Sequence, residues 1–443
     1  MIFAVFLILT IEGKLCAQDP VKPFAVDYDI YNSDIQMDSF TIKPQNTDTP
    51  FQIDLSYLRG NKDLKGLPVI YMTDGQWRRM SHKYIHYLTV KKIIPPVLAV
   101  GVGYPEELRP GEPLDVDQAR TNDFHTHPDN FLKALKEEIM PLVESQYSVD
   151  PGKRFLFGYS LGGYFSIYAF NRNSLASDTT FYGYIGSSSP AIQLADGLAF
   201  KEGGTGLYLT YGEKERHDFQ TPNKDLFEIL ENRNYKNLKF FHHAYPGGDH
   251  ITNIHLTLID GLRLLLGNEE PKGTGAIDLQ NKPYQYDFKT TTQYYDWQSN
   301  IMAQDSYCAD PKYSRDKGPG SFKVTADFSK YNSLSFSSAI LFDDFAGRKL
   351  EFNVYIPKDL AKLKYSLRFV ARSTDSFGFT WVNDYSDSFK INKSGWNTFK
   401  YKWGEQEIQG YSQRIRGYGI MISKSESGPA WKGDLYFDDI KWQ

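Results

Sequence analysis

Up to about residue 267 the chain alternates short, almost wholly apolar runs with longer stretches whose apolar residues recur at helical spacing. Residues 67–72 and 96–102 read as strands buried on both faces, and 154–157, 181–185 and 206–210 read as later ones. Between them, residues 130–147 place Phe131, Leu135, Ile139, Leu142 and Val143 on one helical face, and 254–266 repeat such a stripe. Strands without polar alternation, joined by amphipathic helices, predict an α/β domain with a mostly parallel sheet covered on both sides.

The pattern then changes. Residues 268–283 are polar and glycine-rich with no period, which is linker composition. Beyond them, 321–327, 349–355, 365–371, 397–401, 418–422 and 434–437 alternate apolar and polar at period two, separated by turn residues. That spacing predicts an all-β antiparallel sandwich over 284–443. A chain of 443 residues calls for such a division, because single cores rarely grow beyond roughly 250 to 300 residues. No internal repeat or low-complexity tract interrupts either part.

At the N-terminus, Ile2 to Ile11 form an apolar run too short to cross a bilayer but suited to the core of a signal peptide. Cleavage after Ala17 would leave a mature domain over 18–267 and place the protein outside the cytoplasm, periplasmic or secreted, with no membrane span. It would also remove Cys16, one of only 2 cysteines, leaving Cys308 without an intramolecular partner. Stability then comes from apolar burial, and thiolate metal clusters are excluded. The net charge of −4 provides no basic field for nucleic acid.

The chemistry concentrates at Gly158-Tyr-Ser160-Leu-Gly162, between a predicted strand and a predicted helix. In that context the pattern is a nucleophile elbow. The serine sits at a strained turn with its hydroxyl exposed, small residues two places away relieve clashes, and the Leu161 N–H at the helix start can donate to an oxyanion. A serine hydroxyl needs a general base and an orienting acid, which in this architecture follow in the order serine, acid, histidine. His250, in Pro246-Gly-Gly-Asp-His250, precedes the last helix. Glu215 in Tyr211-Gly-Glu-Lys-Glu215 is the first choice of acid, with Glu213 and Asp218 as rivals. The loop Thr73-Asp-Gly-Gln76-Trp77 supplies a second oxyanion donor at the Gln76 N–H and a pocket wall at Trp77.

Other polar groups carry weaker signals. Asp123, His125, His127 and Asp129 alternate in a manner compatible with a divalent metal, but ester hydrolysis by a serine requires no cofactor. Arg120 and Asp123 belong either to the rim of the site or to the anchoring of their own loop. His242 and His243 read as strand surface or core.

The motifs around Asp74, Arg120, Ser160, Glu215 and His250 together resemble the esterase D-like family of α/β-hydrolases. That family includes feruloyl and acetylxylan esterases of carbohydrate esterase family one, siderophore-lactone esterases and S-formylglutathione hydrolases. The resemblance covers roughly residues 40 to 266 and implies Ser160 as nucleophile, His250 as base and Glu215 as acid, although relatives often use aspartate as the acid. The second part, with Gly395-Trp-Asn-Thr-Phe399 and Gly433-Asp-Leu-Tyr-Phe437, is similar to jelly-roll carbohydrate-binding modules. Such modules imply a structural calcium near the last strand, here at Asp438 or Asp439, and sugar stacking on Trp381, Tyr385 or Trp431, whose alternative role is capping the core. The resulting expectation is an exported esterase removing feruloyl or acetyl groups from plant polysaccharide. The alternatives are a siderophore or other small-ester hydrolase, and a non-catalytic glycan-binding protein.

Overall fold

The computed structural model describes residues 35–267 and 285–442, apart from 62, 106–115, 177, 179, 191, 201, 203, 290–292, 294–296, 300–304, 319, 343–346, 375–380, 405–414 and 426. The expected signal peptide over 1–17, with Cys16, and the expected linker over 268–283 lie outside the described residues.

Eight strands form one sheet in the order β1-β2-β4-β3-β5-β6-β7-β8. They are β1 (Ile35–Ile42), β2 (Phe51–Leu58), β3 (Leu67–Thr73), β4 (Leu98–Gly103), β5 (Val149–Tyr159), β6 (Gly183–Ser187), β7 (Thr205–Gly212) and β8 (Leu238–Tyr245). From β4 to β8 all neighbours run parallel, while β2 is antiparallel to both β1 and β4. Every residue of β3, β4 and β6 is buried, the outcome expected of strands covered on both faces. Alternate residues serve different layers. Ile70, Met72, Phe155 and Phe157 pack with Tyr84, Ile85, Leu258 and Leu262 from helices Arg79–Val90 and Asn253–Leu265. Val69, Tyr71 and Leu156 pack on the other side with Phe131, Leu135, Phe165 and Phe170. The helical stripe expected over 130–147 belongs to a longer stretch starting at Val116, interrupted by the wider π-helical turns Asn122–Thr126 and Leu135–Ile139.

Because β3 lies between β4 and β5, the chain leaves it in one direction and returns on the other. The carboxyl ends of β3 and β5 therefore border a crevice, the place where open α/β sheets bind ligands.

The C-terminal part is all-β. One sheet runs β10 (Trp297–Ser299), β13 (Ser333–Phe342), β19 (Ile415–Lys424), β15 (Tyr365–Thr374), β16 (Trp381–Tyr385), with β17 (Phe389–Ile391) also on β15. The other runs β11 (Asp305–Cys308), β12 (Ser321–Asp327), β20 (Lys432–Trp442), β14 (Lys349–Ile356), β18 (Gly395–Lys402), with β9 (Gln285–Tyr286) on β20. All pairings are antiparallel. Phe336 of β13 stacks on Phe437 of β20 at 4.1 Å between centroids, so the two sheets pack face to face. The two parts touch through helix Arg79–Val90, where the Arg79 guanidinium donates to the Trp297 carbonyl at 2.9 Å and to Asp305 at 2.7 Å. Among the described residues no helix is long and apolar enough to cross a membrane.

That helix also buries two histidines. Ser56 Oγ lies 2.6 Å from His82 Nδ1 and 2.8 Å from His86 Nε2. Burial, with His86 and Arg79 adding to it, lowers the His82 pKa to about 3. Burial lowers that of His86 to about 4 against an opposing bond from Ser56. Both imidazoles are neutral in the fold, whereas the unfolded chain protonates them below about pH 6.5. Their contribution is fully present above that pH and is lost as pH falls toward 4 and 3. Asp260, raised to about 7 by burial, acts in the opposite direction, so the comparison must be made against a variant. The stability lost between pH 7 and 5 in urea titrations is expected to shrink by roughly 2 to 4 kcal/mol in His82→Gln/His86→Gln. An unchanged loss would show that these histidines do not set the acid limit.

Candidate active site

Ser160 occupies the bend between β5 and helix Leu161–Leu175 at φ 55° and ψ −121°, a region costly for any residue with a Cβ. The bend is held by Ser160 N–H donating to the Ser187 carbonyl at 2.9 Å and Tyr164 N–H donating to the Ser160 carbonyl at 3.0 Å. Its small neighbours are a steric requirement. A Cβ on Gly158 would stand 1.9 Å from the Gly162 carbonyl oxygen, and one on Gly162 would stand 2.2 Å from Thr73 Oγ1. The second clash shows that the elbow is pressed against the end of β3.

The structure brings Ser160, His250 and Glu215 together. His250 Nε2 lies 3.1 Å from Ser160 Oγ, and His250 Nδ1 lies 3.6 Å from Glu215 Oε2. The second distance is slightly long for a hydrogen bond and places the carboxylate beside Nδ1. The imidazole is wedged between Tyr159 and Phe219, with ring centroids at 4.9 and 4.6 Å, and is only 7% exposed. Glu215 is buried, and its Oε1 accepts from Ser188 Oγ, from Asn253 Nδ2 at 2.5 Å and from Gly212 N–H at 3.3 Å. These three donors leave Oε2 to face the histidine. Glu213 is exposed, and Asp218 is exposed in an ion pair with Arg216 at 2.6 Å, so neither rival meets His250. Asp249, beside the histidine, accepts from the N–H groups of Ile251 and Thr252 and shapes the loop.

Leu161 begins its helix, so its N–H has no partner within that helix. Gln76 lies in the 3-10 turn Gly75–Trp77 directly after β3, and its Oε1 accepts from Tyr104 N–H at 3.1 Å. Trp77 is 48% exposed, with the Arg120 guanidinium 4.9 Å above its ring. Arg120 is anchored on the fully buried Asp74 by two bonds of 2.6 and 3.1 Å, and Arg78 reaches the same carboxylate at 3.5 Å. Burial works against the Arg120 charge, but Asp74 outweighs it and raises its pKa. Sequence reasoning did not single out Ser188, Asn253 or Arg78. Asn253 resembles any polar residue at a helix start, and only its position across from Glu215 gives it a role.

The remaining candidates disperse. Asp123 is buried and bonded to Tyr104 OH, His125 packs on Tyr164, His127 pairs with Asn122 and Asp129 with Arg172. Among the described residues no three His, Cys, Asp or Glu side chains converge on a metal position. Asp438 accepts from Arg315 N–H and Ser314 Oγ, and Asp439 pairs with Arg315 and Lys441. The expectation that Trp431 stacks on sugar is corrected. It is 6% exposed, packs on Phe328 and donates from Nε1 to Asp359 at 2.8 Å, which makes it a cap of the core. Tyr385 is 47% exposed on β16, the strand that begins with Trp381. His242 and His243 lie on β8, His242 paired with Glu231 at 2.8 Å.

The sequence profile of the Putative esterase family matches residues 45–303, more than half of the chain. The chain belongs to the Putative esterase family. The chain is 30% identical over 147 residues to the apo-salmochelin esterase of Escherichia coli, an alignment covering 29% of the chain and 42% of that relative, less than two thirds of its length. It is 23% identical over 254 residues to the ferri-bacillibactin esterase BesA of Bacillus subtilis, covering 46% of the chain and 81% of the relative. The crystal structure of the BES protein from Bacillus cereus aligns with a TM-score of 0.44 at 25% identity, over 52% of this chain and 94% of that one.

Proposed function

We propose that the esterase is an exported serine carboxylic-ester hydrolase in which Ser160, His250 and Glu215 act as nucleophile, base and acid. The observation that carries this reading is the 3.1 Å approach of His250 Nε2 to Ser160 Oγ at a strained elbow. Ser160 Oγ attacks the ester carbonyl carbon as its proton passes to His250 Nε2, and the N–H groups of Leu161 and Gln76 receive the oxyanion. Collapse expels the alcohol, which takes the proton from His250. Water, activated by the same imidazole, then hydrolyses the acyl-enzyme. Glu215 holds the imidazole in the tautomer with Nδ1 protonated and stabilises its charged form.

For the substrate, we place the lactone ester of a catecholate siderophore first; the two curated relatives are named as esterases of salmochelin and of bacillibactin. Support comes from Trp77 and Arg120, where an exposed ring carrying a cation suits an aromatic, electron-rich acyl group. The second reading, removal of feruloyl or acetyl groups from plant polysaccharide, draws support from the β-sandwich joined to the hydrolase at Arg79. A panel of a catecholate trilactone, methyl ferulate and acetylated xylan separates them. The trilactone is expected to give a kcat/KM at least about tenfold above the others, a difference of ~1.4 kcal/mol in transition-state binding. A preference for acetylated xylan or methyl ferulate would reverse the order. Sequencing the N-terminus of the exported protein checks cleavage after Ala17.

A further inference from the structure

The outward face of the sheet containing β15 is cationic and carries an arginine with no carboxylate partner among the described residues. On β15, Leu367, Phe369 and Ala371 point into the core and are fully buried, so Arg368 and Arg372 point outward. Register places Lys390 of β17 and Asn383 and Tyr385 of β16 on the same side, opposite Ser366, Arg372 and Val370. None of the described residues facing outward from β13, β15, β16, β17 and β19 is an aspartate or glutamate.

Arg372 lies flat on this face rather than extending into water. Its partner in register on β19 is Gly417, and a Cβ built there would lie in van der Waals contact with Arg372 Cδ at 3.7 Å, so the arginine stem runs over Gly417. Its Nε is buried without a hydrogen-bond partner, and no carboxylate pairs with its guanidinium among the described residues. Burial lowers its pKa, with only Tyr385 opposing. A guanidinium desolvated in this way costs stability until an anion reaches it. Its planar fork matches a carboxylate in two parallel bonds. Beside it, the half-exposed Tyr385 ring offers an apolar plane for a sugar ring, and the exposed Asn383 amide can both donate to and accept from hydroxyls.

We propose that this face binds an acidic glycan, a polysaccharide carrying uronic acids, with Arg372 paired to a sugar carboxylate and Tyr385 stacked on a pyranose. The inference does not depend on which ester is cleaved at Ser160. The test is affinity electrophoresis of the full chain through native gels containing polygalacturonate, neutral xylan or polyglutamate. Polygalacturonate is expected to retard the protein in a salt-sensitive manner, with Kd raised at least tenfold in Arg372→Gln and in Tyr385→Ala. The second variant alters only an exposed ring, so it remains informative if the first fails to fold. No retardation by polygalacturonate, retardation of both variants as strong as that of the wild type, or equal retardation of the wild type by polyglutamate would overturn the proposal. Hydrolysis of p-nitrophenyl acetate by the wild type reads Ser160 alone, so intact hydrolysis without glycan binding would reject this inference and leave the esterase reading standing.

Discussion

Ser160→Ala is expected to lower kcat/KM for the preferred ester by roughly 10⁴-fold or more, on the order of 5 kcal/mol of transition-state stabilisation. Covalent catalysis through this hydroxyl is lost outright, and His250 would have only water left to activate, without the positioning that the elbow provides. Substrate binding should change little, because alanine retains the Cβ and the strained bend is set by backbone bonds to Ser187 and Tyr164. The far-ultraviolet spectrum and melting temperature should therefore match the wild type. Labelling by a fluorophosphonate should disappear in the same variant. Retained hydrolysis or labelling would move the nucleophile elsewhere and remove the mechanism.

Glu215→Gln should cost about 10³- to 10⁴-fold in kcat, whereas Glu213→Gln should stay within about twofold. The amide is nearly isosteric, but it cannot stabilise a charged imidazole, and its NH2 turned toward His250 would favour the tautomer with the proton on Nε2, where it cannot accept from Ser160. Ser188 and Asn253 both hold the carboxylate through Oε1, so the substitution leaves both donors facing an amide nitrogen if the side chain flips. Stability should therefore fall modestly along with activity, and urea titration reads the two effects separately. Equal losses in both variants would show that the acid had been misassigned.

The parallel strands of the first part were readable in the chain because burial on both faces leaves continuous apolar runs. The antiparallel edge pair β1 and β2 was not, since β1 mixes exposed and half-buried positions along one margin of the sheet. In the sandwich, β13 escaped notice because serines occupy Ser333, Ser335 and Ser337 on its outward side and Ser338 on its inward side, which blurs the alternation. Local sequence by itself marked the elbow, for Gly158 is demanded by its contact with Gly162, while the demand on Gly162 comes from Thr73 at the end of β3. It also determined that a histidine and an acid follow in the right order. Only the tertiary structure decided between Glu213 and Glu215, turned Trp431 into a core residue and left the Arg372 Nε buried without a hydrogen-bond partner among the described residues. Glu213 and Glu215 stand two positions apart on one loop, and which of them becomes buried depends on strands and helices distant in the chain, as the Ser188 and Asn253 bonds to Glu215 show.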